Sequence, residues 1–329
     1  MDLLEHILPL SQRIDQAMRA DLSTVTADVD DLLREVLEYG LFGGGKRFRP
    51  LLTILAARVC GGCDDERLYQ LAVAFEYLHV ATLLHDDVID NGVTRRGRPT
   101  VNVQYGLVPA ILAGDFLHAR SIALVGDLGG PESLKIFSEA TRGMVDGEFV
   151  QLRNAENYNQ SAEQYYQGII GKTALLIGAA TEIGCIFGGG NLEDRVALRQ
   201  YGLNLGCAFQ IVDDLLDYQG DELQTGKKTG NDLAEGKITL PLIIALEKAG
   251  SGEKKRVLHM LATPEERKSS LTEVVELIRF YDGFDTSRQK AQELVDEALQ
   301  HLQRFSPVGD SQAVSILNGL AAYVLSRQK

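Results

Sequence analysis

The sequence predicts an all-α protein, a single large helical bundle around a deep central cavity, with residues 1–329 forming one domain. Apolar residues recur at helical rather than alternating spacing along almost the whole chain, and no segment forms a convincing strand pattern. Three segments, 66–90, 162–187 and 192–218, are each long enough for a helix of about 35 Å. Helices of this length favour one bundle with a central cavity over two small domains.

Glycine and proline clusters divide the chain into about a dozen helices. The breaks fall at 43–45, 61–62, 91–100, 129–131, 188–190, 219–236 and 250–252. Two helix starts carry capping signals. Ser161 precedes Glu163 and Gln164 in the manner of a capping box, and Thr263 precedes Pro264 with a glutamate at the third helical position.

Composition narrows the class of protein. The chain is 45% hydrophobic and 24% charged, which is typical of a soluble globular protein. Its net charge of −13 argues against binding to nucleic acid, so any phosphate must be held by local cations and metal. No uninterrupted apolar stretch has the length of a bilayer span, and the first six residues lack the order of a secretion signal. We therefore expect a cytoplasmic protein without a transmembrane segment.

The four cysteines give no signal for redox or zinc chemistry. Cys60 and Cys63 have a two-residue spacer, but neither a βαβ pattern nor a second pair of metal ligands accompanies them. Cys185 and Cys207 each stand alone in an apolar helical context. We interpret them as small buried hydrophobic residues.

Two acidic clusters of the form Asp-Asp-x-x-Asp end long apolar runs and lie far apart in the chain. Their members are Asp86, Asp87, Asp90, Asp213, Asp214 and Asp217. The first and last aspartates of each cluster are four residues apart, so on a helix they share one face. Mg²⁺ relieves the repulsion between such carboxylates and binds one or two of them together with phosphate oxygens. We therefore predict that the two clusters face each other and hold one diphosphate.

Basic residues follow each acidic cluster, which favours phosphate binding. Arg95, Arg96 and Arg98 come after the first cluster, and Gly226-Lys227-Lys228 and Lys237 come after the second. Adjacent Arg95 and Arg96 can point in different directions, which suits two separate anionic groups. Arginine can bind phosphate through two hydrogen bonds, whereas lysine acts as a point charge.

Two further segments present single cations. Gly40 and Gly45-Lys46 have the spacing of a P-loop, but Arg47 replaces the Ser or Thr that binds Mg²⁺. Gly171-Lys172-Thr173 fails the same test, because Tyr166 stands where the first glycine belongs. We interpret both as cations presented to phosphate by flexible or closely packed backbone.

His79 has two interpretations, a hydrogen-bond donor near the first cluster or a structural histidine. It lies seven residues before Asp86, on the same helix face, and so can donate to an anion there. Glu76 and His79 also have the spacing of a di-iron helix, but the second copy that such a site needs is missing.

Taken together, these motifs resemble the trans-isoprenyl diphosphate synthases. The order and spacing match over nearly the whole chain. The motifs are Gly-Gly-Lys46-Arg-x-Arg49-Pro, Leu83-Leu84-His85-Asp86-Asp87-x-x-Asp90, Arg95-Arg96-Gly-x-Pro, Gly-Lys172-Thr173, Phe209-Gln210-x-x-Asp213-Asp214-x-x-Asp217 and Gly236-Lys237. The resemblance implies an all-α homodimeric enzyme of the isoprenoid synthase type, in which Mg²⁺ bridges an allylic diphosphate to both clusters.

The resemblance also assigns roles to individual residues. It implies metal binding by Asp86, Asp87, Asp90 and Asp213 and, more peripherally, by Asp214 and Asp217. It implies that the allylic diphosphate is held by Arg95, Lys172, Lys227 and Lys237. It implies that isopentenyl diphosphate is held by Lys46, Arg49, His79 and Arg96. Thr173 and Gln210 match positions that orient substrate and stabilise charge, whereas Asn231-Asp232 departs from the two aspartates that are common in the family.

The implied reaction is the head-to-tail condensation of an allylic diphosphate, farnesyl or geranyl, with successive isopentenyl diphosphates. Three Mg²⁺ ions with lysine and arginine donors would stabilise the departing diphosphate as the allylic C–O bond ionises. The double bond of isopentenyl diphosphate would then attack the allylic cation, and the released diphosphate would take the proton.

In this family, residues just before the first acidic cluster line the product tunnel. Ala81 and Thr82 are small, so we expect the tunnel to continue toward Leu78 and Phe75, with Phe137 as a candidate floor. This predicts a long, octaprenyl-like product for quinone side chains.

Four alternatives stay open at this stage. They are a synthase with a shorter farnesyl or geranylgeranyl product, a non-catalytic subunit of a heteromeric synthase, a class I terpene cyclase and a ferritin-like bundle. Intact acidic clusters disfavour the non-catalytic subunit, and the second set of cations disfavours the cyclase. The missing second Glu-x-x-His disfavours the ferritin-like bundle.

Overall fold

The computed structural model describes residues 3–158, 160–219, 229–306 and 309–327. The all-α prediction is confirmed, because 82% of the residues are helical. The α-helices of this part of the chain are α1 (Leu3–Val25), α2 (Asp31–Leu41), α3 (Phe48–Val59), α4 (Glu66–Ile89), α5 (Val101–Tyr105), α6 (Leu107–Glu156), α7 (Ala162–Ile169), α8 (Leu175–Phe187), α9 (Leu192–Gln219), α10 (Asn231–Ala234), α11 (Leu240–Lys248), α12 (Ser251–Met260), α13 (Pro264–Ser269), α14 (Leu271–Phe280), α15 (Gly283–Leu302) and α16 (Ser311–Ser326).

The helices are more numerous than the expected dozen, because loop segments contribute short helices such as α5 and α10. A π-helical turn, Ile170–Ala174, joins α7 to α8, and a 3₁₀ turn, Gln303–Phe305, follows α15. The predicted break at residues 129–131 is a kink inside α6, where Gly130 has a φ of 75°. This conformation is open to glycine and costly for other residues.

Both predicted helix starts are confirmed. The side-chain oxygen of Ser161 accepts a hydrogen bond from the backbone N–H of Gln164. The side chain of Thr263 accepts from the backbone N–H of Glu266, and a proline occupies the first turn of that helix.

The expectation that the chain has no strand is wrong in one loop. Strands β1 (Thr94–Arg95) and β2 (Arg98–Pro99) pair antiparallel, with Arg95 opposite Arg98. The two residues between them, Arg96 and Gly97, both have positive φ, as a type I′ hairpin turn requires. Strands of two residues are too short to produce an alternating pattern in the sequence.

The chain divides into two compact units, each assembled from three segments. Unit 1 comprises Met1–Glu139, Ala179–Arg199 and Arg304–Leu317, and unit 2 comprises Ala140–Gly178, Gln200–Gln303 and Asn318–Lys329. The prediction of a single domain spanning residues 1–329 stays a prediction.

Each unit has its own central helix. In unit 1, α4 is buried on nearly every side from Leu68 to Leu84 and packs against α1, α2 and α3. A helix that is apolar all round is the core of a large domain. In unit 2, α11 is buried from Leu240 to Leu246 and packs against α14 and α15.

By length and composition, two described helical stretches, Leu107–Glu156 and Ala162–Phe187, could span a membrane. We expected no transmembrane segment because no single apolar run in the sequence is long enough to span a bilayer. In the structure, each of these two helical stretches contains several shorter apolar runs, so its total length reaches that of a span. In Ala162–Phe187, 78% of the most apolar window is buried inside the protein, as expected for a core helix.

Candidate active site

In unit 1, the first acidic cluster lies at the end of α4. Asp86 and Asp87 belong to the last turn, and Asp90 caps it, with its N–H donating to the carbonyl of Asp86 at 2.8 Å. Asp86 is half-buried and Asp90 is exposed. The carboxylates of Asp86 and Asp90, which the sequence places on one helix face, are therefore one turn apart at the C-terminal end of α4.

The middle aspartate of this cluster is held by an arginine. The Nε of Arg95 lies 2.9 Å from Oδ2 of Asp87, and its Nη2 lies 2.8 Å from Oδ1. Asp87 is only 7% exposed, so this two-point contact stabilises a buried charge. The charges of Asp87 and Arg95 thus compensate each other.

The β1–β2 hairpin sends its two adjacent arginines in different directions, as the sequence suggested. Arg95 turns toward Asp87. Arg96, at the tip of the hairpin, lies against the glycine loop before α3, where a Cβ placed on Gly45 would come within 3.0 Å of its Nη1. The positive φ of Gly44 and Gly45 lets the loop follow this path.

A group of cations in unit 1 surrounds His79. Burial, followed by Arg49 and Arg96, holds the pKa of His79 well below its usual value, so the imidazole is neutral at pH 7. Burial also lowers the pKa of Arg49 to about 10, and the Nε of Arg49 is buried without a hydrogen-bond partner. A bound anion would satisfy this donor and offset the positive charge. Lys46 is exposed in the same glycine loop.

Glu76 balances part of this charge. It is 3% exposed, and its Oε1 accepts from Nη1 of Arg47 at 2.8 Å. Arg47 also donates to Asp15 and to the carbonyl of Leu41. Arg47 is therefore a structural cation that anchors the start of α3, and Glu76 serves as its partner and not as an iron ligand.

The residues predicted to set product length lie deeper in unit 1, with Leu78, Ala81 and Thr82 on α4 and Phe137 on α6. Leu78 and Ala81 are each 2% exposed, and Thr82 is half-buried. The rings of Phe75 and Phe137 are both fully buried and meet edge to face, with centroids 5.4 Å apart. Phe75 of α4, nearly two turns before Ala81, is thus paired with Phe137 of α6.

In unit 2, the second acidic cluster lies near the end of α9, and its members have different surroundings. Asp213 is exposed, and its Oδ1 lies 3.2 Å from Nη2 of Arg327. Arg327 stacks over the ring of Phe209 at 4.0 Å, and its Nη1 is buried without a hydrogen-bond partner. No sequence motif indicated a role for this arginine, which follows the last helix.

Asp214 is the centre of a hydrogen-bonded chain. It is 4% exposed, and Tyr165 donates to its Oδ2 at 2.6 Å while Nε2 of Gln210 donates to its Oδ1 at 2.9 Å. The hydroxyl of Thr173 in turn donates to Oε1 of Gln210 at 3.1 Å. The amide of Gln210 is thereby fixed in one orientation. Burial and Asp232 raise the pKa of Asp214, and the two donors oppose this shift.

Asp217 holds the start of α10. Its Oδ1 accepts from the backbone N–H of Asn231 at 3.1 Å, and its Oδ2 accepts from that of Asp232 at 3.0 Å. Burial, followed by Asp217, raises the pKa of Asp232 to about 7. Protein donors thus engage both oxygens of Asp214 and of Asp217, which leaves Asp213 as the most accessible carboxylate of this cluster.

Lys172 lies in the π-helical turn and pairs with Glu148 at 2.6 Å. Glycines bring the backbones together there, since a Cβ on Gly171 would lie 2.7 Å from the Cα of Gly147. The motif around Lys172 is thus a close-packed contact, as we interpreted it from the sequence. π-helical turns are frequent at functional sites.

The two remaining lysines predicted to bind the allylic diphosphate are Lys237 and Lys227. Lys237 contacts Glu235 at 2.6 Å and lines a pocket with Lys172, Gln210 and Tyr165. Lys227 lies outside the described residues.

Comparison with known proteins shows to which family the chain belongs. The family model for polyprenyl synthetase matches residues 30–278. The chain belongs to the polyprenyl synthetase family. The predictions of a prenyltransferase and of a polyprenyl diphosphate synthase are therefore confirmed.

This polyprenyl synthetase is similar to relatives with different product names. It is 36% identical over 310 residues to the octaprenyl diphosphate synthase of Escherichia coli, covering 94% of each chain. It is 37% identical over 303 residues to the geranylgeranyl diphosphate synthase of Saccharolobus solfataricus, covering 90% of each. The crystal structure of a decaprenyl diphosphate synthase from Rhodobacter capsulatus matches with a TM-score of 0.89 at 35% identity, covering 99% of each chain.

The carboxylates of the synthetase fit magnesium bound together with substrate. Among the described residues, no three histidine, cysteine or acidic side chains converge into a site made by protein alone. Mg²⁺ needs only one or two carboxylates when phosphate oxygens complete its shell. Asp86 with Asp90 in unit 1, and Asp213 in unit 2, supply such carboxylates.

Proposed function

We propose that this synthetase makes a long, octaprenyl-like all-trans polyprenyl diphosphate, the precursor of a quinone side chain. It would add isopentenyl diphosphate units to an allylic primer, farnesyl or geranyl diphosphate. The observation that carries the proposed length is the small side chain of Ala81 on α4, above the buried pair of Phe75 and Phe137. A bulky residue at position 81 would end the growing chain early, whereas alanine leaves it room.

We propose that the cations of unit 1 hold isopentenyl diphosphate. The buried Nε of Arg49 without a partner supports this role, together with the neutral His79 and with Arg96 beside the glycine loop. In this proposal Arg49 and Arg96 compensate the diphosphate charge, Lys46 adds a point charge, and His79 donates one hydrogen bond. The binding sites of both substrates are supported by the sequence motifs and by family membership.

We propose that both acidic clusters act on the allylic diphosphate, with three Mg²⁺ ions in the complete complex. When bound, magnesium supplies Lewis-acid stabilisation of the departing diphosphate. Arg95 would exchange its contact with Asp87 for the diphosphate, and Lys172 would likewise exchange Glu148. Lys237 and Lys227 complete the predicted set of cations.

Thr173, Gln210, Asp214 and Tyr165 would orient the reacting end of the substrate. Because Thr173 donates its hydroxyl hydrogen to Gln210, its oxygen lone pairs remain directed elsewhere and can face positive charge on the allylic carbons. Asp214 and the buried Tyr165 keep the Gln210 amide from rotating. Asp214 therefore has a positioning role in this proposal, beside any peripheral contribution to metal binding.

Product analysis tests the proposed length. The enzyme would be incubated with farnesyl diphosphate, excess isopentenyl diphosphate and Mg²⁺, and the dephosphorylated products would be separated by reversed-phase chromatography. We expect chains near eight isoprene units, the octaprenyl length. A product that stops at geranylgeranyl length would support the shorter-chain alternative, and farnesyl diphosphate alone as product from a geranyl primer would refute the open tunnel. Full activity of the isolated chain would exclude a non-catalytic subunit.

We propose a homodimer, formed through an apolar face of α6 in unit 1. Four neighbouring side chains on this face are 37–62% exposed, and they are Leu107, Val108, Ile111 and Leu112. A contiguous exposed apolar face of this kind is typical of an interface. The variant Leu112→Glu should yield a monomer in light scattering, whereas Leu32→Glu, at an exposed leucine on α2, should not.

We also propose a cytoplasmic location, which agrees with the buried apolar window of Ala162–Phe187.

A further inference from the structure

Two thiols of unit 1 meet away from the residues assigned to catalysis. Cys60 follows the last residue of α3, and Cys185 lies in the last turn of α8. Their Sγ atoms are 3.4 Å apart, although 125 positions separate them in the chain. In the sequence, Cys63 follows Cys60 after two residues without any redox or zinc signal, and Cys185 stands alone in an apolar helical context. A disulfide has an S–S bond of about 2.05 Å, so a small movement of the side chains would bring these sulfurs to bonding distance.

The backbone around the pair is shaped to accommodate it. A Cβ on Gly190 would lie 2.3 Å from the Sγ of Cys185 and 2.9 Å from that of Cys60. A Cβ on Gly188 would lie 2.3 Å from the carbonyl oxygen of Ala57, so the ends of α3 and α8 are in close backbone contact. Any side chain at position 190 would force the two thiols to move. The contact between the sulfurs therefore depends on glycine at this position.

The two thiols differ in their access to solvent. Cys185 is fully buried, Cys60 is half-buried, and Cys63 is exposed. A small oxidant from solvent therefore has more access to Cys60 than to Cys185. This order suits an oxidation in which Cys60 reacts first and Cys185 resolves the product.

We propose that Cys60 and Cys185 are an oxidation site that forms an intramolecular disulfide when the folded protein meets a peroxide. The Cys60 thiol loses its proton, and its thiolate attacks one peroxide oxygen. The O–O bond breaks, which gives a sulfenic acid and a hydroxide, and the hydroxide takes up the lost proton to form one water. The Cys185 sulfur then attacks the Cys60 sulfur, the S–OH bond breaks, and a second water leaves with the Cys185 proton. Two thiols are oxidised by two electrons, and one hydrogen peroxide is reduced to two waters. Cellular thiols would reverse the bond.

Peptide mapping distinguishes this bond from one between Cys60 and Cys63. Cleavage after Arg58 and Arg67 gives a peptide, residues 59–67, that contains both Cys60 and Cys63. Cleavage after Lys172 and Arg195 gives residues 173–195, which contain Cys185. A bond from Cys60 to Cys185 links the two peptides, whereas a bond from Cys60 to Cys63 stays within the first.

The experiment uses the reduced full-length protein, treated with hydrogen peroxide and then blocked with a thiol reagent. We expect a mass lower by about 2 Da than that of the reduced protein before blocking, and a linked peptide pair that disappears on reduction. Cys63→Ser should retain the link, and Cys185→Ser should lose it. The proposal is overturned by a bond confined to residues 59–67, or by oxygen additions of about 16 Da without a linked pair. Because wild type and Cys63→Ser already decide the outcome, the test does not depend on the folding of Cys185→Ser.

Discussion

Removing the hydroxyl of Tyr165 tests the hydrogen-bonded chain that ends at Thr173. In Tyr165→Phe, Oδ2 of Asp214 loses a donor that lies 2.6 Å away, at a carboxylate that is only 4% exposed. A buried acceptor left without its partner costs about 1 to 3 kcal/mol. The remaining donor to Asp214, Gln210, would then be free to follow a shifted carboxylate, and the contact from Thr173 to Gln210 would weaken.

The rate of catalysis should reflect this loss. If the whole cost appears in the transition state, kcat falls by roughly fivefold to 150-fold, since 1.36 kcal/mol corresponds to a factor of ten. The hydrogen-bonded chain from Tyr165 leads to Thr173, which is assigned to the allylic carbons, so the KM for isopentenyl diphosphate should change little. Steady-state kinetics with farnesyl and isopentenyl diphosphates would measure both constants.

Tyr166→Phe is the matched control. It removes the same atom from the next residue of the same helix, whose ring meets that of Tyr165 edge to face at 5.6 Å. A double-mutant cycle with Gln210→Ala should show that the effects of Tyr165→Phe and Gln210→Ala are not additive. Unchanged kcat in Tyr165→Phe, or an equal loss in Tyr166→Phe, would refute the positioning role. A loss of thermal stability with kcat intact would assign Tyr165 to folding alone.

Three further predictions concern other parts of the site. Ala81→Phe should shorten the main product by several isoprene units, because the ring would block the path along α4; an unchanged product distribution in reversed-phase chromatography would contradict the proposed tunnel. Asp213→Ala should lower activity with little change in thermal stability. Asp217→Ala should instead lower the unfolding free energy by about 1 to 3 kcal/mol, because two backbone N–H groups lose their acceptor. Activity assays and urea titrations that show the reverse pattern would contradict these two roles. His79 stays neutral in the native state but takes up a proton near pH 6.5 when unfolded, so the unfolding free energy should fall below that pH by at most about 1.4 kcal/mol per unit on its account. In His79→Gln this part of the slope should be absent, and identical pH profiles of the two proteins in urea titrations would exclude it.

Sequence patterns predicted the long helices and the acidic clusters well, because both depend on local spacing. The helix predicted for residues 66–90 is α4, and the one predicted for 192–218 is α9, each within a residue of the expected ends. Asp86 and Asp90 lie one turn apart for the same reason. Helical periodicity decides which side chains share a face, and it requires no knowledge of the rest of the fold.

The partners of the site residues were not predictable in the same way. Tyr165 donates to Asp214 from 49 positions away, and Asp213 contacts Arg327 from 114 positions away. Such contacts depend on how helices pack, which a single sequence does not specify. The hairpin at Arg96 and Gly97 was missed for another reason, since strands of two residues leave no periodic signal.

The near contact between Gly147 and Gly171 has a practical consequence for protein engineers. A combinatorial library aimed at altered product length should leave these two positions fixed, because even alanine would separate α6 from the π-helical turn and displace the lysine beside it. Diversity is better directed to the α4 residues above the aromatic pair, where side-chain volume sets the space proposed for the product.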